Sequence, residues 1–253
     1  MRLKFVGTGN AAGVPAYGCD CKACVRGQNM TDHRRGPCSA ALMFDGETFL
    51  LDAGSLQLGE RFPSGSFSRI ILTHYHMDHV QGLFPIRWGV GELIPVHGPA
   101  DEQGCDDLFK HPGILDFSET LVAFEQRWFG ELLVTPLPLN HSKLCLGYAF
   151  EHKGQRLAYL TDTAGLPETV EEFLHGWRPD VMILDCSVPP QPREPKNHND
   201  LTMAIELHES IRPRKTYLTH ISHTLDNWLA NNAGVLPPFM KVAADGLVLD
   251  LDK

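Results

Sequence analysis

The chain has 253 residues, 43% of them apolar, and a formal net charge of −9. That composition supports a substantial buried core and excludes a disordered chain, and the length fits one large α/β domain. The basic residues form no run or stripe, which argues against an extended nucleic-acid partner but not against a small phosphorylated substrate.

No apolar window approaches the roughly 18 to 20 residues of a membrane span. The opening Met1-Arg2-Leu3-Lys4-Phe5-Val6-Gly7 has too short an apolar run for a signal peptide, so a cytoplasmic protein away from membranes is expected. Seven cysteines, an odd number, argue against a disulfide framework there.

Residues 2 to 6 read as a first strand. Gly7-Thr8-Gly9 and Ala11-Ala12-Gly13 form a glycine loop, but no strand–glycine–helix unit follows, so neither a dinucleotide fingerprint nor a P-loop is present. A cysteine segment and a polar stretch lead to Pro37. Residues 40–44 and 48–51 read as a hairpin around Asp45-Gly46. Ile70-Ile71-Leu72 is a buried strand, residues 79–84 look helical until Pro85, and 94–97 is a short strand. Residues 100–117 look helical and then irregular. Strands recur near 121–124, 131–137, 145–150 and 156–161. A helix starts at Pro167 and runs to His175. Strand 181–184, a proline-rich loop over 188–199 and helix 201–211, capped by Asn199 or Asp200, follow. Strand 217–219 delivers His220, and 247–251 is the last strand. Two β-rich runs, each closed by helices, fit an αβ/βα sandwich without a linker that would split the chain.

The most informative stretch is Thr73-His74-Tyr75-His76-Met77-Asp78-His79. Four polar side chains at a strand end are a poor packing solution and a good metal solution. In an extended segment His74 and His76 point the same way, while Asp78 and His79 come after the turn and can face a second point. Further candidate ligands also stand at strand ends: His141 after Leu139-Asn140, Asp162 after Leu160-Thr161, and His220 after Leu218-Thr219.

His-x-His-x-Asp-His, followed by a lone His, a strand-end Asp and a final His, resembles the metallo-β-lactamase superfamily. The resemblance covers essentially the whole chain and implies a four-layer αβ/βα sandwich with two mixed β-sheets. It implies that His74, His76 and His141 hold one metal, that Asp78, His79 and His220 hold a second, and that Asp162 bridges them. Asp52 is implied to orient the histidine loop; the plainer reading is a turn carboxylate. Two ions about 3.5–4 Å apart can activate a shared water and stabilise charge on a phosphoryl group. Oxygen and imidazole donors admit manganese, zinc, nickel or iron.

Cys19-x-Cys21-x-x-Cys24 has the spacing for a tetrahedral Cys₃His zinc site, with His223 as the fourth ligand; the alternative is three reduced thiols and a surface histidine. The insertion around residues 18–38 would then be pinned by a structural zinc. Together with Leu72-Thr73-His74-Tyr75-His76-Met77-Asp78-His79-Val80-Gln81-Gly82, the run from Gly104 to Gly113, and Pro138-Leu139-Asn140-His141-Ser142-Lys143, it resembles the PhnP family. Those are phosphoribosyl cyclic phosphate phosphodiesterases of phosphonate breakdown. This resemblance implies a 5-phosphoribosyl 1,2-cyclic phosphate substrate, manganese at the catalytic pair and zinc at the cysteines.

Ring opening expels an alkoxide that needs a proton. His198, in the proline-rich loop, has a pKa range suited to a general acid, unless it is a plain surface residue; Asp185 is a candidate to orient it. Catalysis would then rest on His198, Asp78 and Asp162. Arg34, Arg35, Lys143 and Lys196 are candidate partners for a 5-phosphate. A homodimer is left open. Competing readings are a tRNA 3′-end or cyclic-nucleotide phosphodiesterase, a thioester hydrolase, a non-catalytic metal-stabilised module and a di-iron redox protein.

Overall fold

The computed structural model describes residues 1–251. β1 (Arg2–Gly7), β2 (Ser39–Phe44), β3 (Glu47–Leu51), β4 (Arg69–Ile71), β5 (Ile94–His97) and β6 (Leu115–Asp116) form the first sheet in that order. The second runs from β7 (Arg127–Phe129) through β8 (Leu132–Leu139), β9 (Cys145–His152), β10 (Gln155–Leu160), β11 (Val181–Asp185) and β12 (Lys215–Thr219) to β13 (Met240–Val242). β14 (Val248–Asp250) returns to pair antiparallel with β1, giving each sheet seven strands. Both sheets are mixed. β1 to β3 pair antiparallel and β3 to β6 parallel; β7 to β10 pair antiparallel and β10 to β13 parallel.

Period-two patterning assigns each strand residue to a layer. Leu157 and Tyr159 of β10 face the first sheet and pack with Leu3, Phe5, Leu42, Phe49 and Ile71. Ala158 and Leu160 of the same strand face outwards. On the outer side of the first sheet lie α2 (Leu58–Arg61), α3 (Met77–Val80), α4 (Leu83–Ile86) and α5 (Asp106–Lys110), which follow α1 (Lys22–Asn29) in the chain. α6 (Glu168–Trp177), α7 (Leu201–Ile211) and α8 (His223–Asn231) cover the second sheet. The result is the expected four-layer sandwich. Among the described residues, no helix is long and apolar enough to cross a membrane.

The hairpin turn is where the sequence places it, with Asp45 (φ 46°) and Gly46 (φ 84°) both left-handed, as a type I′ turn requires. Asp200 caps α7 by accepting from Met203 N, whereas Asn199 turns its side chain to Gly165 N and the Asp185 carbonyl. Other expectations need correction. The region 79–84 holds two separate single turns, α3 and α4. Pro85 is tolerated in α4 because it lies in the first turn, where N–H groups lack intrahelical partners anyway. Within 100–117 only Asp106–Lys110 is helical, and Leu115–Asp116 adds a short edge strand. α1, α8 and β13 were not foreseen: α1 is short and rich in polar residues, burying only Ala23, Cys24 and Gly27. The strand expected near 121–124 is not formed; Leu121 makes only an isolated bridge to Pro99.

Six chain segments thereby reach one rim. Asp52 follows β3, Thr73 follows β4, His141 follows β8, Asp162 follows β10, Asp185 ends β11 and His220 follows β12. The histidine loop lies tightly on the chain after β3: a Cβ on Gly54 would sit 2.1 Å from the Asp78 carbonyl oxygen. Gly54→Ala is therefore expected to cost about 1–3 kcal/mol of stability through overpacking. Urea denaturation would test this; an unchanged midpoint would show that the loop is not held by this contact.

Candidate metal centre

The rim is assembled from strand ends whose backbones are fixed by the sheets. After β4 the chain leaves the sheet under the control of Asp52. Its carboxylate accepts from Thr73 N at 2.8 Å and from Thr73 Oγ1 at 3.0 Å, and His79 Nδ1 donates to its Oδ2 at 2.9 Å. Asp52 itself is left-handed, with φ 60°, a conformation its short polar side chain tolerates. His76 then occupies the N-cap position of α3, so Asp78 and His79 fall within one helical turn.

The first cluster is His74, His76 and His141. His74 Nε2 lies 2.9 Å and His141 Nε2 3.0 Å from His76 Nδ1. The second is Asp78, His79, Asp162 and His220. Here Asp78 Oδ2 is 3.6 Å from both His79 Nε2 and His220 Nε2. Asp162 Oδ2 stands between the groups: 3.2 Å from His79 Nε2 and His220 Nε2, 3.8 Å from His74 Nε2 and 4.0 Å from His141 Nε2.

The outer ring nitrogens are mostly anchored. His79 is held by Asp52, His74 Nδ1 by Thr73 Oγ1 at 3.0 Å, and His141 Nδ1 donates to the Asn197 carbonyl at 3.0 Å. His220 Nδ1 donates to Ser187 Oγ at 2.7 Å, and that hydroxyl donates in turn to the His220 carbonyl. Such bonds fix the tautomer and leave the inner nitrogen with a lone pair. The inner nitrogens of His79 and His220 are buried and have no hydrogen-bond partner.

The electrostatics agree with a cation site. Asp52, Asp162 and Asp185 are buried, Asp78 nearly so, and among the described residues none pairs with a lysine or arginine. Buried carboxylates without compensating charge are costly. Burial alone would raise the Asp162 carboxyl, but His220 and His79 hold it well below the usual carboxylate range. Burial opposes charge on His79, yet Asp162 and Asp52 push it well above an ordinary imidazole. His74 is pushed well below its ordinary value by burial and by His79. Converging imidazoles, carboxylates and orphaned lone pairs fit divalent cations.

His198 lies over this centre. Its ring stacks on His220 at 4.6 Å and tilts against His141 at 5.2 Å. Its Nδ1 donates to Asp185 Oδ2 at 2.9 Å. Burial disfavours its charge, but Asp185, by proximity and by that hydrogen bond, raises it to about 9 with help from Asp162 and Asp78. Asp185 also accepts from Thr163 N at 2.9 Å, which helps to fix its orientation.

The other cluster is Cys19, Cys21, Cys24 and His223, whose ligand atoms all lie within 4.8 Å of one another. His223 Nδ1 is 3.4 Å from Cys19 Sγ and 3.6 Å from Cys21 Sγ. Ser222 caps α8 by accepting from Leu225 N, which turns His223 away from His220 and towards the cysteines. Cys38, Cys145 and Cys186 are buried and Cys105 half-buried.

The four candidate phosphate partners separate clearly. Arg35 is consumed by Asp226, Thr8 and the Ala243 carbonyl, so it is not available to a ligand. Arg34 donates to the carbonyls of Gly27 and Gln28. Lys143 donates to the Gly104 carbonyl, and Lys196 is exposed. Sequence reasoning missed Thr73, Ser187 and the Asn197 carbonyl. Thr73 adjoins the histidine motif and could have been found; a main-chain oxygen leaves no signal.

A family model of the β-lactamase superfamily domain matches residues 49–221. The chain belongs to that superfamily. Its structure is similar to a diphosphatase from the PhnP family, with TM-score 0.82 and 28% identity over 98% of this chain and 97% of that one. In sequence it is 26% identical to an octanoyltransferase of Porphyromonas gingivalis over 100% of this chain and 52% of that protein. It is 27% identical to a ribonuclease BN of Cronobacter sakazakii over 60% of this chain and 50% of that protein. The chain thus spans about half the length of these two relatives.

Ser187→Ala is expected to weaken metal binding at the His220 side about tenfold or more, because the ring loses its anchor. Calorimetric titration with manganese would test this; wild-type affinity would contradict it. A chelator should lower the Tm and added metal restore it, by about 2.7 kcal/mol at a hundredfold excess over Kd. A Tm indifferent to both would exclude ions bound to the folded chain.

Proposed function

We propose that this chain is a dinuclear-metal phosphodiesterase that opens 5-phospho-α-D-ribosyl 1,2-cyclic phosphate to ribose 1,5-bisphosphate, a step of phosphonate catabolism. The observation that carries the reading is His198, held by Asp185 against both ligand clusters. A hydrolase with a good leaving group has no use for a half-buried, anchored proton donor; a cyclic phosphodiester, which expels a poor alkoxide, does. The full-length likeness to a diphosphatase of the PhnP family supports hydrolysis of a phosphorylated substrate.

When bound, two divalent ions would activate water and offset phosphoryl charge; the donors admit manganese, zinc, nickel or iron, and the resemblance to the PhnP family implies manganese. His74, His76 and His141 would hold one, Asp78, His79 and His220 the other, with Asp162 shared. The chain's own part is then positional. Asp52, Thr73, Ser187 and the Asn197 carbonyl fix the rings. Asp185 keeps the His198 proton on Nδ1 engaged and leaves its other nitrogen to deliver a proton to the departing oxygen. Cys19, Cys21, Cys24 and His223 would hold a structural zinc that fixes the segment around α1. The substrate is small; the net charge of −9 suits neither an extended nucleic acid nor a basic docking surface.

The substrate is tested by comparing kcat/KM on the ribosyl cyclic phosphate, a 2′,3′-cyclic nucleotide, bis(p-nitrophenyl) phosphate and a thioester. The first should lead; activity confined to the thioester would overturn the reading. His198→Ala should lower kcat roughly 10²–10⁴-fold on alkoxide leaving groups. It should have much less effect on p-nitrophenolate and leave metal content unchanged. Equal losses on both substrates, or loss of metal, would remove His198 from the proton-donor role.

A further inference from the structure

Asp162 has two chemically equivalent carboxylate oxygens, yet only one of them faces the ligand clusters. Oδ2 lies within 4.0 Å of four inner ring nitrogens, those of His74, His79, His141 and His220. Oδ1 instead accepts from Thr161 Oγ1 at 2.6 Å. Among the described residues it has no other hydrogen-bond donor. Thr161 is fully buried and Asp162 2% exposed, so bulk water does not compete for Oδ1.

The surroundings of Thr161 keep its hydroxyl in place. Behind it lies Cys38, whose thiol donates to Thr161 Oγ1 over 4.0 Å and also contacts Thr219 Oγ1 at 3.4 Å and Tyr159 hydroxyl at 3.6 Å. All four side chains are buried. A hydroxyl has one proton to give, and here it goes to Oδ1.

We propose that Thr161 is a positioning residue that reserves Oδ2 of Asp162 for both ion sites by occupying Oδ1. The assignment rests on the two-ion reading above. Without the hydroxyl, Oδ1 would be a buried charged acceptor lacking a partner, which is unfavourable. The carboxylate would then rotate about its Cβ–Cγ bond to spend both oxygens on cations. The pair of ions would lose the single shared oxygen that sets their relation to each other.

The test uses the full chain loaded with manganese, and its readouts need no substrate. Thr161→Val keeps the shape and removes the donor; Thr161→Ser restores the donor. The valine variant is expected to bind the second manganese ion at least tenfold more weakly, by calorimetry. It should also change the spin coupling between the two ions in the EPR spectrum, with the serine variant returning both towards wild type. A folded valine variant with wild-type affinity and an unchanged coupled spectrum would overturn the assignment, as would a serine variant indistinguishable from valine. If the valine variant does not fold, Thr161→Ala against Thr161→Ser makes the same comparison. Wild-type protein that shows the coupled pair but cleaves no phosphodiester would overturn the proposed substrate class, while the donor-dependent coupling would still support the role of Thr161.

Discussion

A single oxygen, Oδ2 of Asp162, lies within 4.0 Å of ring nitrogens from His74, His79, His141 and His220. The rest of the centre depends on that juxtaposition. The carboxylate is buried, as are Asp52 and Asp185, and no lysine or arginine among the described residues answers them. Removing such charge from water is unfavourable unless a cation compensates. The chain has concentrated its buried negative charge where its imidazole rings converge, and imidazoles rather than lysine or arginine answer it.

The sandwich makes this affordable. Each ligand follows a strand whose backbone bonds are satisfied in a sheet, so the polar side chains need no rigidity of their own. The loops between strand and ligand are short, and each is tied by one or two side chains: Asp52 to Thr73 and His79, Ser187 to His220, Asp185 to Thr163 and His198. α8 links the two clusters physically. His220 ends its approach on the catalytic rim, Ser222 caps the helix, and His223 starts it facing the cysteines. Asp226, one turn further on, is clamped by Arg26 and Arg35 at 2.6 and 2.7 Å. The cysteine segment therefore braces the helix that follows a ligand of the other centre.

The convergence of the candidate ligands was legible in the sequence because metal chemistry restricts residue types and because strand ends meet at one rim. His74 to His79, His141, Asp162 and His220 are marked by both signals. The fold class followed from β-rich runs closed by helices. Short elements were not legible. α1 and α8 are short: α1 is mostly polar and packs on α8, and the apolar face of α8 is only Leu225, Trp228 and Leu229, too brief a run to stand out in the sequence. Arg35 looked like a free cation in sequence and is in fact a half-buried strut, because its partners Thr8, Asp226 and Ala243 come from segments far away along the chain. Ser187 and the Asn197 carbonyl act through position alone, which residue type does not encode.

The central claim is that two ions share Asp162. The most direct measurement is anomalous diffraction from crystals of the manganese-loaded protein, collected on both sides of the manganese edge. The account predicts two manganese peaks flanking Asp162 Oδ2, one among His74, His76 and His141 and one among Asp78, His79 and His220. A single peak at full metal loading, or peaks that leave Asp162 unliganded, would contradict it.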